Sequence, residues 1–223
     1  MALFYVIYLK DGIAVDCIEA IRLLSNPLEK KAAHLTVRGP FPNKIRLEDA
    51  NKKLAGNRIL LDGVSRFTSP TQNTVFFTCK ATKIKKIWNK PEYPFNPHVT
   101  VYDGDSATFA SELYDVLSRH TYLLGFQADK LTALITKSGT KSHYRPVQFD
   151  VDEISKIVGE SINCSQVSEM SMHRRLTLID RLCGFLEHTS LKTNPNFVFA
   201  ENTKRKARKT MLESLRHGIL SWT

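Results

Sequence analysis

The chain has 223 residues, 42% of them hydrophobic and 24% charged, which excludes a fibrous or wholly disordered protein. Its 32 Lys and Arg outnumber 22 Asp and Glu, and the net charge of +10 suits polyanionic partners such as nucleic acid or phosphorylated ligands, although solvated lysine faces give the same excess. The longest apolar stretches, such as Ala2 to Leu9, fall far short of the roughly 20 residues of a membrane span, and no secretory signal is visible, so a cytoplasmic protein without a membrane segment is expected.

Met1 to Leu9 alternates Phe4, Val6 and Tyr8 with Tyr5, Ile7 and Leu9, apolar on both sides, and predicts a strand buried on both faces. After Asp11-Gly12, the apolar positions Ile13, Cys17, Ile18, Ile21 and Leu24 recur at helical spacing up to the stop at Ser25-Asn26-Pro27. Ala33 to Val37 reads as a second strand ended by Gly39-Pro40, then a short polar helix over Leu47 to Leu54, then strands over Arg58 to Phe67 and Thr74 to Lys80. The pattern restarts with a basic turn over Lys83 to Lys90, a loop over Pro91 to Pro97, a strand over His98 to Tyr102 and a helix over Ser106 to Arg119. Strands over Tyr122 to Ala128 and Leu131 to Lys137 follow, with a last one over Val147 to Val151. This is an α+β domain of two similar lobes spanning 1–151, and a helical extension over 152–223 with apolar stripes in Gln166 to His188 and Thr203 to Leu220. The stripes must be covered by the first domain, by each other or in a dimer. Cys17, Cys79, Cys164 and Cys183 share no C-x-x-C spacing, so buried free thiols are expected, with no metal site and no cofactor.

Two segments share one grammar: Ala33-His34-Leu35-Thr36-Val37 and Pro97-His98-Val99-Thr100-Val101. On a strand, side chains alternate with period two, so His34 and Thr36 share a face, as do His98 and Thr100. Imidazole gives or takes a proton near neutrality, and a threonine hydroxyl beside it can hold a phosphoryl oxygen. One H-x-T in a strand is common by chance; two copies 64 positions apart, in equivalent places of two lobes, are the better argument for chemistry. The other five histidines, His120, His143, His173, His188 and His217, lack this context and read as surface or structural residues.

With these paired motifs, the Gly39-Pro40-Phe41 turn and the segment His143 to Phe149, which looks like a closing strand, the chain from Met1 to Val151 resembles the two-histidine (2H) phosphoesterase superfamily. That superfamily includes enzymes once called 2',5' RNA ligases and various cyclic nucleotide phosphodiesterases. The resemblance implies a bilobal fold with His34 and His98 on opposite sides of one cleft, acting as acid and base on a phosphodiester without metal, while Thr36 and Thr100 hold non-bridging oxygens. Substrate-binding candidates follow from the same alternation and its neighbours. Arg38 continues the face of His34 as a phosphate partner or a surface charge, while Tyr102, which continues that of His98, and Phe41 in the turn are candidates either to stack on a base or to close the cleft. Tyr144 and Arg145 are candidates for base stacking and phosphate contact.

The implied substrate is a nucleotide or RNA 2',3'-cyclic phosphate or a 2',5' linkage. One alternative is degradation of a cyclic oligonucleotide messenger; another is a non-catalytic RNA-binding or scaffold protein. The basic run Lys204 to Lys209 opens the last helix, where RNA contact and a solvated charged face compete, and the extension is a candidate for dimerisation.

Overall fold

The computed structural model describes residues 2–10, 12–69, 71–89, 94–136 and 144–193. In chain order these form β1 (Ala2–Tyr8), α1 (Ile13–Ser25), β2 (His34–Phe41), α2 (Glu48–Leu54), β3 (Asn57–Thr68), β4 (Asn73–Lys80) and a 3-10 turn (Thr82–Ile87). Then come β5 (His98–Gly104), α3 (Ala107–Ser118), β6 (Leu124–Ala128), β7 (Thr132–Thr136), α4 (Val151–Val158), a second 3-10 turn (Cys164–Glu169) and α5 (Met172–Thr193). Among the described residues no helix is long and apolar enough to cross a membrane.

The protein is α+β, with one seven-stranded sheet in the order β6-β3-β4-β5-β2-β1-β7. Its halves, β6-β3-β4-β5 and β2-β1-β7, meet where β2 pairs antiparallel with β5 through Leu35 and Val99. The two strands that begin with the sequence's paired histidines are therefore neighbours at the centre of the sheet. β1 is buried on both faces as its pattern predicts: Leu3, Tyr5 and Ile7 enter the main core, while Val6 and Tyr8 join Ala32 and Leu134 in a smaller cluster on the other side. On the core face of the central strands Leu35, Val37, Val99 and Val101 are at most 2% exposed, each stabilising the sheet by roughly 1.5–3 kcal/mol.

Helices α1 and α3 cover that core face, and α5 packs across both. Leu176, Leu178, Ile179, Leu182, Cys183 and Leu186 of α5 belong to the same hydrophobic cluster as the sheet. Polar ties reinforce this docking: Arg175 donates to the Leu24 carbonyl, and the His120 ring lies between Asp180 and Glu187. His120 is thus structural, and His173 and His188 are exposed. His143, His217, the run Lys204 to Lys209 and the second tail helix lie outside the described residues. Cys17, Cys79 and Cys183 are buried and Cys164 is exposed.

Several sequence expectations need correction. Val147 to Val151 is not a strand: Pro146 makes an isolated bridge with Lys31, the Val147 N–H donates to Lys30, and Val151 already opens α4. The Asp150 carboxylate caps the Asp152 and Glu153 N–H groups, and Gly159 at φ +74° closes the helix. β2 does not stop at Gly39-Pro40 but runs through it to Phe41, with a bulge against β1. Gly39 adopts φ +112°, and a Cβ there would lie 2.7 Å from the Leu3 carbonyl oxygen, so glycine is needed at this crossing. The helix expected over Gln166 to His188 starts only at Met172, after the Cys164–Glu169 turn.

Candidate active site

On β2 the burial alternates, with Leu35 and Val37 in the core and His34, Thr36 and Arg38 half-buried on the opposite face. β5 repeats this with Val99 and Val101 buried and His98 and Thr100 half-buried. The antiparallel register through Leu35 and Val99 sets His34 across from Thr100 and Thr36 across from His98. The motif residues thus form a four-cornered patch on one face, with the histidines on a diagonal.

Each imidazole is held in the same way. Nδ1 of His34 lies 2.7 Å from the Ala32 carbonyl, and Nδ1 of His98 lies 2.8 Å from the Asn96 carbonyl. A carbonyl oxygen only accepts, so Nδ1 carries the proton in both rings, and the ring lone pair of the neutral form sits on Nε2. Aromatic walls fix the ring planes. Tyr8 meets the His34 ring edge-on at 5.8 Å, Phe76 lies 4.7 Å from the His98 ring, and half-exposed Phe67 stacks 4.5 Å from Phe76.

The two histidines differ in what lies beneath them. Burial pushes His34 down from the ordinary 6.5 to about 3, the positive charges of Arg22, Lys31 and His98 act in the same direction, and only the bond to Ala32 opposes them. Arg22 is itself buried. From α1 its Nε donates to the Thr100 carbonyl at 2.8 Å, its Nη1 donates to the Lys31 carbonyl at 2.7 Å, and it pairs with buried Glu19 at 3.3 Å. Glu19 in turn accepts the Ala33 N–H at 2.7 Å. One buried ion pair therefore grips the backbone of both motif strands, next to His34 on β2 and at Thr100 on β5. Sequence reasoning missed it, because charged residues on a predicted amphipathic helix are assigned to solvent.

The other candidates are distributed unevenly. Arg38 stays on the motif face and lines a neighbouring cavity with Arg46, Lys53, Lys86 and Trp88. Tyr102 does not reach the cleft. A bulge between the pairs Val75–Tyr102 and Phe76–Thr100 turns it into the core, where its hydroxyl accepts the Ser106 N–H and its ring packs on Phe109. The bulge hands its expected place to Asp103, whose Oδ1 accepts from Gln72 Nε2 and Thr74 Oγ1, both at 2.6 Å. Phe41 packs beside Tyr5 against the core. Tyr144 lines a cavity with Lys30, Lys31 and Asp103, whereas Arg145 is tied to the Leu9 carbonyl and, through its N–H, to the Tyr8 hydroxyl.

A cavity of about 360 Å³ holds His98 and Thr100 together with Phe67, Gln72, Thr74, Trp88 and Asp103. It brings a half-exposed aromatic ring, a fixed carboxylate and an imidazole into one space. Among the described residues no group of His, Cys, Asp and Glu is arranged to hold a metal ion. A family model described as the 2'-5' RNA ligase superfamily matches residues 9–140, an interval that contains both β2 and β5. No curated protein and no solved structure matches the chain.

Proposed function

The chain belongs to the 2'-5' RNA ligase superfamily, and we propose that within it the protein is a metal-independent phosphodiesterase that opens a nucleotide or RNA 2',3'-cyclic phosphate or a 2',5' phosphodiester. The observation that supports this reading is the diagonal placement of His34 and His98 on two adjacent central strands, each ring tethered through Nδ1 to a backbone carbonyl and each standing across from a motif threonine. Paired imidazoles suit in-line displacement at phosphorus. His34, neutral at neutral pH in the free protein, takes a proton from the attacking water as its oxygen bonds to phosphorus. His98 gives a proton to the departing ribose oxygen as the phosphorus–oxygen bond breaks. The products are a phosphomonoester and a free hydroxyl, and proton exchange with solvent restores both rings.

Negative charge collects on the non-bridging oxygens during this step. Thr36 and Thr100 stand across from the histidines with hydroxyls suited to donate to those oxygens, an arrangement whose loss typically costs about 100- to 1,000-fold in rate. Phe67 stacks a base at the mouth, and Asp103, held by Gln72 and Thr74, accepts from its edge. The test is a screen of purified, chelator-treated protein against cyclic mononucleotides, 2',5'-linked oligomers, cyclic-phosphate-ended RNA and cyclic dinucleotides, alongside a His34→Ala, His98→Ala double variant. Turnover of a 2',3'-cyclic phosphate or 2',5' linkage by the wild type alone supports the reading. Activity confined to cyclic dinucleotides would transfer the assignment to messenger degradation, and no turnover with retained RNA binding would leave a binding protein.

A further inference from the structure

The motif face continues past His98 into a second cavity of about 320 Å³, with Trp88 shared between the two. Its walls carry Arg38 from β2, Arg46, Lys53 from α2 and Lys86 from the 3-10 turn, against one carboxylate, Asp49. None of these cations forms an ion pair among the described residues. Arg38 Nε is buried there without a hydrogen-bond partner among them. Gathered like charges repel, and a phosphate bound among these side chains relieves that repulsion. The cavity on the opposite side has no such surplus, since Glu29 lies 3.9 Å from Lys31 Nζ and Asp103 also lines it.

Arg38 stands two residues beyond Thr36 on the same face of β2, about 7 Å along the strand, a separation of the order of one nucleotide step. We propose that Arg38, Arg46, Lys53 and Lys86 form a subsite for a second phosphate of the substrate, one nucleotide away from the group that is cleaved. The proposal rests on the phosphodiesterase reading above and narrows its substrate to molecules with at least two phosphodiesters.

The experiment compares kcat/KM on a 2',3'-cyclic mononucleotide, on a dinucleotide ending in the same cyclic phosphate and on a cyclic dinucleotide. The proteins are wild type, Arg46→Gln/Lys53→Gln, and a control, Lys52→Gln/Lys156→Gln, which removes equal charge outside the cavity. The wild type and the control should prefer a two-phosphate substrate by about tenfold or more, and the cavity variant should bring that ratio near unity. The favoured two-phosphate substrate identifies whether the second group comes from a linear chain or a cyclic messenger. No wild-type preference, or a preference intact in the cavity variant, overturns the subsite. If nothing is turned over, the phosphodiesterase reading fails on its own. The subsite is then decided by dinucleotide affinity, with about tenfold weaker binding to the cavity variant supporting it and equal binding refuting it.

Discussion

Lowering the pH from 7 to 5 separates this site from a generic histidine pair. An imidazole at the ordinary 6.5 would be neutral in only about 3% of molecules at pH 5, whereas one at about 3 stays neutral in about 99%. If His34 is the base, kcat/KM at pH 5 should therefore stay near its plateau instead of falling about 30-fold, because kcat/KM reports the protonation of the free enzyme. The alkaline limb should remain, since the partner imidazole must be charged to act as acid. The same shift has a stability consequence. Between about 6.5 and 3 the unfolded chain takes up a proton that folded His34 refuses, so stability falls as the pH drops through that window. The assay is a profile of kcat/KM from pH 4.5 to 9 with the fold followed by near-UV circular dichroism. Lys31→Gln, which removes one of the charges depressing His34, should raise its titration point, read by NMR titration of the imidazole in the folded protein. A tenfold loss per pH unit below about 6.5 in a folded wild type would refute the assignment of His34 as a base held neutral by its surroundings.

Activity should persist in excess EDTA, measured on the best substrate of the screen, whereas inactivation reversed by a divalent ion would show a metal requirement. Thr36→Val and Thr100→Val should each lower kcat by about 100- to 1,000-fold with unchanged melting temperature; wild-type kcat in either would make its hydroxyl structural. Arg22→Met leaves Glu19 buried without its partner and frees the Thr100 and Lys31 carbonyls, so urea unfolding should show a loss of about 3–5 kcal/mol, partly restored by adding Glu19→Gln.

Much of the arrangement was readable because period two is a strong signal on strands. The double alternation of Phe4 to Leu9 predicts burial on both faces, and the spacing of His34 with Thr36 and of His98 with Thr100 predicts a shared face; both patterns are present in the fold. The reading failed where that period is broken without a local marker. No Gly or Pro announces the bulge before Tyr102, so parity pointed to Tyr102 while the structure turns Asp103 outward. At β2 the markers existed and misled, since Gly39-Pro40 resembles a stop yet is a bulge inside the strand. Helix α4 carried an Asp150 cap and a Gly159 terminus that the expectation of a closing strand overrode. The Glu19–Arg22 brace and the docking of α5 depend on tertiary partners far along the chain, which hydrophobic spacing does not specify.

The central claim, that two imidazoles act as one acid–base unit, is tested most directly by a double-mutant cycle. Turnover of the substrate selected in the screen is measured in EDTA for the wild type, His34→Ala, His98→Ala and the double variant, with folding checked for each. Each single variant should lose about 100- to 10,000-fold, and the double variant should be little worse than either single, because groups that act as a unit are lost together. A folded single variant that retains wild-type turnover would contradict the account.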